Sequence, residues 1–254
     1  MNKDTFLSEL GEDFSNFAEI LNKYKRLEDI SNKLYVLSGK LQRRDFIGYK
    51  VEDIIIVFDE LEKFPKKLSH HNSAIDLILK FNIKLEIDYD NLINGNDPFN
   101  DFSFNIVITG RNKNNQNSKL SYAIHFDKHN LKEERESIEK RKGKKPLQPH
   151  PVYHFQFGGN RLKEEEIDHG QALFLDSPRI MHHPVDLILG IDFILSNFFP
   201  TIWDKIKGER QYKKIIQKYQ KYFIQPYFQA IANSFDSALP QNWNAQEIYP
   251  QLIR

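Results

Sequence analysis

The segment KLSYAIHFD, residues 119–127, decides how the middle of the chain is expected to fold. Successive side chains of a strand point to opposite faces, so its alternation predicts a strand with one apolar and one polar face. The apolar face would carry Leu120, Tyr122, Ile124 and Phe126, and the polar face Ser121, Ala123, His125 and Asp127. We therefore expect a strand that covers a core of aromatic rings and turns His125 and Asp127 away from it.

A second segment, VYHFQFG (152–158), repeats this pattern and places His154 and Gln156 opposite its aromatic rings. If the two strands are neighbours, cross-strand pairing gathers His125, Asp127, His154 and Gln156 on one face. Seven of the nine histidines fall between His125 and His183, most of them in short aromatic phrases. The histidine-rich face is therefore the first candidate for a site.

The other segments predict an α+β fold, in which N-terminal and C-terminal helices flank an antiparallel meander of about four or five strands. Further strands are expected at 84–89, 103–109 and 172–176. Helices are expected at 4–37, 51–64, 73–81, 184–199, 209–224 and after Pro226, although the centre of 51–64 also suits a buried strand. We expect one domain over 1–254: a mainly helical part (1–82), a sheet part (83–180) with a mobile insert (131–149), C-terminal helices (184–240) and an irregular tail.

Composition excludes several classes of protein. The chain has no cysteine, which excludes disulfides, thiolate metal sites and a cysteine nucleophile. Lys+Arg is 36 against Asp+Glu 35, so no global field draws the chain to nucleic acid or to an anionic membrane. No run approaches about 20 apolar residues and the N-terminus lacks a secretory pattern, so we expect a cytoplasmic protein without membrane association.

Imidazoles beside a carboxylate suggest two kinds of chemistry at His125, Asp127 and His154. Neutral imidazole plus carboxylate is a ligand set for zinc, manganese, nickel or iron, and the bound metal could activate water. Alternatively, His125 could act as a general base that a carboxylate orients. The chain has no HExxH, GxSxG or P-loop motif, and a structural network of hydrogen-bonded histidines remains the alternative to both.

Other polar residues near this face are candidates for binding a ligand. Gln156 shares the histidine face, and Arg161 follows a pair of glycines that could equally form a plain hairpin turn. Asp176, Arg179 and His182 come just before the apolar helix and could form an anion pocket there, or simply cap it. The basic run Lys140–Lys145 could contact nucleic acid, but the acids that precede it favour a solvated loop.

The phrases HFDKH (125–129), HPVYHFQFGGN (150–160) and LDSPRIMHHPVDLILGIDFILSNFF (175–199) together resemble an uncharacterised bacterial family of unknown function. That family is associated with mobile or defence-related gene neighbourhoods, and the likeness covers residues 119–199. The resemblance implies the context of a bacterial defence-type or toxin–antitoxin-type system. Together with the absence of a known catalytic motif, it leads us to expect a component that binds a partner protein or ligand through the histidine-rich face. The alternative is a metal-dependent hydrolase, a nuclease or phosphodiesterase, that uses the His/Asp cluster.

Overall fold

The structure is a computed structural model. It describes residues 2–41, 47–58, 74–112, 119–128, 151–158, 180–236, 238–240 and 242–252. The expected strand at 172–176 and the insert at 131–149 lie outside these residues. The expected α+β class is confirmed, because an antiparallel sheet is flanked by N-terminal and C-terminal helices.

The sheet is an antiparallel meander in which each strand pairs with the next along the chain. In the described part of the chain it has six strands, rather than the four or five expected from sequence. They are β1 (Ile47–Val57), β2 (Ala74–Ile87), β3 (Phe99–Asn112), β4 (Lys119–Lys128), β5 (Tyr153–Phe157) and β6 (Ile180–Met181). The sheet therefore begins at Ile47, well before residue 83.

The predictions of helices at 51–64 and 73–81 were wrong for the residues that the structure describes, which form β1 and β2. Each strand contains a β-bulge, and an aspartate with positive φ lies in it: Asp53 in β1 and Asp76 in β2. A bulge adds one residue to a strand and breaks the period of two. Beyond the bulge of β1 the alternation is regular, since Ile54 is buried and Ile55 is 42% exposed.

Helices are present in the helical regions predicted at both ends of the chain, and two short helices were not predicted. At the N-terminus α1 (Lys3–Asn22) and α2 (Glu28–Leu41) follow one another, and α3 (Tyr89–Ile93) lies between β2 and β3. The C-terminal helices are α4 (Leu187–Phe198), α5 (Pro200–Ile206), α6 (Arg210–Tyr219), α7 (Gln225–Asn233) and α8 (Ala245–Ile248), with a π turn at Gln220–Ile224. Helix α8 lies in the tail that was expected to be irregular. None of the helices in the described ranges is long and apolar enough to cross a bilayer.

The apolar face of the sheet packs against these helices and forms the core. Phe126 of β4 is at its centre, because its ring contacts Phe104, Phe155 and Phe193 with centroid distances of 5.1–5.8 Å. Aromatic pairs at these distances stabilise a fold beyond the area that they bury. Since Phe126 is anchored in the core, its neighbours His125 and Asp127 must project from the other face of the sheet.

The outer edge of β1 is covered by polar side chains of α2. Asp29 accepts a hydrogen bond from the backbone N–H of Ile55 at 2.9 Å. Lys33 donates from Nζ to the carbonyl oxygens of Glu52, at 2.8 Å, and Asp53. Backbone groups at a sheet edge need such partners because no further strand satisfies them.

Candidate metal centre

The register between β4 and β5 brings the predicted residues together in two neighbouring rows. Asp127 is paired with His154, and His125 is paired with Gln156. Directly paired residues of antiparallel strands point to the same face, with Cβ atoms about 5 Å apart. The sequence-based expectation that all four side chains share one face therefore agrees with the structure.

Three of the four side chains meet at Asp127. His154 Nε2 lies 3.0 Å from Asp127 Oδ1, and His125 Nε2 lies 3.1 Å from Asp127 Oδ2. One ligand atom from each of the three residues can be chosen so that all lie within 4.8 Å of one another. His154 is 2% exposed, whereas His125 and Asp127 are half-buried, so the cluster is closed on one side and reaches solvent on the other.

Two buried atoms of the cluster make no well-aligned hydrogen bond within the described residues, although the contacts are short. They are His125 Nε2 and Asp127 Oδ1. A buried polar atom left in this way costs about 1–3 kcal/mol. A cation held between the imidazoles and the carboxylate would give both atoms a partner.

The electrostatics of the cluster favour an ionised carboxylate. Burial raises the pKa of Asp127, but the contacts from His125 and His154 lower it by more, so that the pKa lies below its usual range. Asp127 is therefore an anion at neutral pH and able to act as an oxygen ligand.

Further polar residues of β3 border the cluster, and sequence reasoning did not identify them. Ser103 is paired with Asp127, and Asn105 is paired with His125. Both belong to the polar set of SFNIVIT (103–109), whose alternation is the signal that identifies them. Together with Gln156 they supply hydroxyl and amide groups beside the three possible metal ligands.

His182 lies on the other face of the sheet. Its backbone N–H donates to the carbonyl oxygen of Tyr153, and its ring packs 4.8 Å from the ring of Phe126 and 5.8 Å from that of Phe155. Burial, followed by the proximity of His183, lowers the pKa of His182 to about 3. The structure therefore places His182 as a half-buried neutral ring against the aromatic core and does not bring it to the cluster.

The remaining candidates from the sequence cannot be placed. Arg161, Asp176, Arg179 and the basic run Lys140–Lys145 lie outside the described residues. The nearest described position is Gly158, which has φ of 72° and donates its N–H to the carbonyl oxygen of Ala123 at the end of β5. Positive φ at this position favours glycine.

Two aspartates of the apolar helix segment have structural partners. Asp186 is the N-cap of α4 and accepts from the backbone N–H groups of Leu189 and Ile188 at 2.9 and 3.2 Å. Burial raises the pKa of Asp186 to about 7, against the lowering effect of these hydrogen bonds. Asp192 accepts from Trp203 Nε1 at 2.8 Å and from the hydroxyl of Tyr212 at 2.5 Å, as expected for a hydrogen-bonded carboxylate.

Comparison with known proteins gives no match: no family model, no curated protein and no solved structure is significantly similar to this chain. The inference about function therefore depends on the geometry of the site.

Proposed function

We propose that the chain binds a divalent transition-metal ion through His125, Asp127 and His154 and uses it to hydrolyse a phosphodiester. The observation that carries the proposal is the convergence of three ligand atoms within 4.8 Å of one another. Ligand atoms at about 2.1 Å from a common ion lie about 3.0–3.4 Å apart in octahedral or tetrahedral geometry. The contacts of 3.0 Å from His154 Nε2 to Oδ1 and 3.1 Å from His125 Nε2 to Oδ2 are close to this spacing, each at a different oxygen of Asp127.

The ligand set also indicates which ions fit. Two imidazole nitrogens and one carboxylate oxygen suit zinc, iron, manganese or nickel, whereas calcium and magnesium prefer oxygen ligands alone. Three protein ligands leave positions open for water or substrate, as in catalytic zinc sites, whereas structural zinc sites are closed by four. The half-buried side of the cluster, at His125 and Asp127, is where those positions would face solvent.

Hydrolysis is the reaction that such a site supports. His125, Asp127 and His154 would hold the ion, which would lower the pKa of a bound water toward 7 and stabilise negative charge on a phosphoryl oxygen, so that hydroxide would be available to attack phosphorus. The bond to the leaving oxygen would break as the bond to hydroxide forms, and the leaving group would take a proton from water. Ser103, Asn105 and Gln156 border the cluster and would hydrogen-bond the remaining oxygens of the substrate.

Metal binding is tested on the full chain purified without a nickel column. Isothermal titration with ZnCl₂ or MnCl₂ is expected to give one site per chain, and the bound ion is expected to raise the melting temperature. His154→Ala and Asp127→Asn are expected to lose this site. His182→Phe is the matched control, because it removes a histidine from the opposite face of the sheet. If the control weakens binding as much as His154→Ala does, the assignment of the site is wrong.

Activity is measured separately with bis(p-nitrophenyl) phosphate in the presence of the metal that binds. Turnover is expected in the wild type and in His182→Phe. The turnover rate of His154→Ala is expected to be at least 10²-fold lower than that of the wild type, since loss of a ligand removes the ion that activates water. Metal binding without turnover on phosphodiesters would keep the metal site and overturn the proposed reaction.

A second candidate function is the binding of a partner protein in a bacterial defence-type system. The observation that favours it is a pair of exposed aromatic rings on β4 and β5, beside the C-terminal end of α4. Tyr122 and Phe157 are each more than 40% exposed, and their ring centroids lie 6.0 Å apart. Phe198 lies 6.3 Å from Tyr122. Aromatic residues are enriched at protein–protein interfaces.

This candidate is tested by comparing variants in affinity capture from the native host. The double variant Tyr122→Ser, Phe157→Ser is expected to lose a partner that the wild type retains. Val36→Ser, which changes an exposed apolar residue of α2, is the control and is expected to retain it. A wild-type protein that elutes as a monomer and retains no specific partner contradicts this function.

A further inference from the structure

Helix α6 and the π turn that follows it carry a stripe of positive charge on their outer side. The inner side is apolar and buried, with Tyr212, Ile215, Ile216, Tyr219 and Phe223 in the core. The cations Arg210, Lys213, Lys214 and Lys221 are exposed. At 3.6 residues per turn Arg210, Lys213 and Lys214 fall within one third of the circumference of α6, and Lys221 follows in the π turn, so the four form a row about 16 Å long. We call these four residues the basic stripe.

The carboxylate that directly precedes the basic stripe, Glu209, pairs with Lys23 at 2.6 Å. Between Arg210 and Phe235 the sequence contains no aspartate or glutamate. Lys218, which points to one side, pairs with Glu9 at 2.8 Å and Asp13 at 2.7 Å. By contrast, no carboxylate in the described ranges forms an ion pair with any member of the basic stripe.

This arrangement does not contribute to the stability of the helix. Arg210 and Lys213 lie near the N-terminus of α6, where the helix dipole disfavours cations. Arg210 and Lys214 are also four residues apart, a spacing at which like charges destabilise a helix. An external polyanion would relieve the repulsion within this row of cations.

The surroundings of the basic stripe favour a nucleic acid over a membrane. The other exposed side chains along the helix are Gln211, Gln217 and Gln220, and no exposed apolar side chain accompanies them between residues 210 and 221. A helix that binds in a membrane interface inserts an apolar face, but here that face is buried in the core. Lysine, arginine and glutamine are side chains that contact phosphate oxygens in nucleic-acid complexes.

We propose that the basic stripe binds the phosphate backbone of duplex nucleic acid without reading its sequence. About 16 Å of B-form DNA carries roughly nine phosphate charges, enough to engage all four cations. The stripe lies on the helical side of the sheet, opposite His125 and His154, so this surface does not depend on the proposed metal site.

The test is fluorescence anisotropy of the full chain with a fluorescein-labelled 20-base-pair DNA of arbitrary sequence. The logarithm of affinity is expected to fall with the logarithm of salt concentration with a slope of about −3.6, since each neutralised phosphate contributes about −0.9. This slope corresponds to about a 10²-fold loss of affinity between 50 and 200 mM salt. A second duplex of unrelated sequence is expected to bind equally well.

Variants distinguish DNA binding through the basic stripe from a general effect of net charge on DNA affinity. The quadruple variant Arg210→Gln, Lys213→Gln, Lys214→Gln, Lys221→Gln is expected to lose measurable binding, and Lys213→Gln alone to reduce the slope by about 1. The matched control changes four exposed lysines elsewhere: Lys25→Gln, Lys40→Gln, Lys50→Gln and Lys80→Gln. Circular dichroism and thermal melting establish that both proteins are folded.

Three outcomes overturn the proposal. The first is a wild type that does not bind the duplex at 50 mM salt. The second is equal loss of binding in the quadruple variant and in the control, which would make net charge the cause. The third is stripe-dependent binding to phosphatidylserine-containing vesicles in the absence of DNA binding, which would identify the partner as a membrane.

Discussion

Gly190 of α4 lies directly against the ring of Phe104 in β3, so that a methyl group added at Gly190 would be 3.1 Å from Phe104 Cζ. Phe104 cannot move aside easily, because it is fully buried between the rings of Phe81 and Phe126. Glycine at this position sets the distance at which α4 packs on the sheet.

Gly190→Ala is therefore expected to destabilise the protein, by about 1–2 kcal/mol, because overpacking outweighs the better helix propensity of alanine. Gly39→Ala is the matched control, since Gly39 in α2 has no atom within 4 Å of the added methyl group. It is expected to stabilise the protein by about 0.5–1 kcal/mol. Urea denaturation of both variants measures the difference, and a stable Gly190→Ala would contradict the packing argument.

Phe126→Ala is expected to reduce the free energy of unfolding by about 3–5 kcal/mol, because it leaves a cavity among the rings that Phe126 contacts. It should also weaken metal binding, since Phe126 fixes the strand that carries His125 and Asp127. Phe157→Ala, which truncates a ring that is 44% exposed, is expected to cost less than about 1 kcal/mol. If the two variants lose the same free energy of unfolding, Phe126 is not a central residue of the core.

Asp186 is expected to make stability fall as pH rises from about 4 to 7. The pKa is raised to about 7 in the folded chain, so the folded state binds more protons than the unfolded state in this range. The contribution amounts to about 1.4 kcal/mol per pH unit and at most about 4 kcal/mol. Asp186→Asn keeps an N-cap acceptor but does not titrate. The unfolding free energy of Asp186→Asn minus that of the wild type, measured by urea denaturation, should therefore increase as pH rises.

His182 should have the opposite effect. Its pKa is lowered to about 3, so the folded state binds fewer protons than the unfolded state below pH 6.5 and stability is lost as pH falls. Between pH 6.5 and 5 this loss is about 2 kcal/mol. His182→Phe retains a ring against Phe126 and Phe155 but does not titrate. The unfolding free energy of this variant should fall less than that of the wild type over this range. If the unfolding free energies of the two proteins change in parallel with pH, the His182 ring is not held neutral in the folded state.

The face on which the candidate residues lie could be predicted from sequence, because it depends on strand parity and on which strands are neighbours. Once β4 and β5 are neighbours, the alternation in KLSYAIHFD and VYHFQFG places His125, Asp127 and His154 on one face. The contacts at Asp127 could not be predicted in the same way, because the pairing of Asp127 with His154 depends on register, which the intervening segment does not encode locally.

The errors at β1 and β2 have a different origin. Asp53 and Asp76 adopt positive φ within the strands, and the bulges there shift the alternation so that a helical period fits equally well. Aspartate tolerates this backbone region better than most residues do, but nothing in the neighbouring sequence distinguishes such a bulge from a helix turn. His182 contacts Phe126 and Phe155 on the other face of the sheet, and its proximity in sequence to the histidine-rich strands does not determine that face. The anion pocket expected from Asp176, Arg179 and His182 stays a prediction.

The contacts of Asp29 and Lys33 with β1 also bear on self-association. An open strand edge is a template on which a second chain can add its own strand, and this is the usual start of β-aggregation. In this fold the template is blocked by two charged side chains from α2, so a chain in which α2 has not yet docked would be vulnerable to aggregation through β1. Helix docking thereby protects the sheet from intermolecular strand addition.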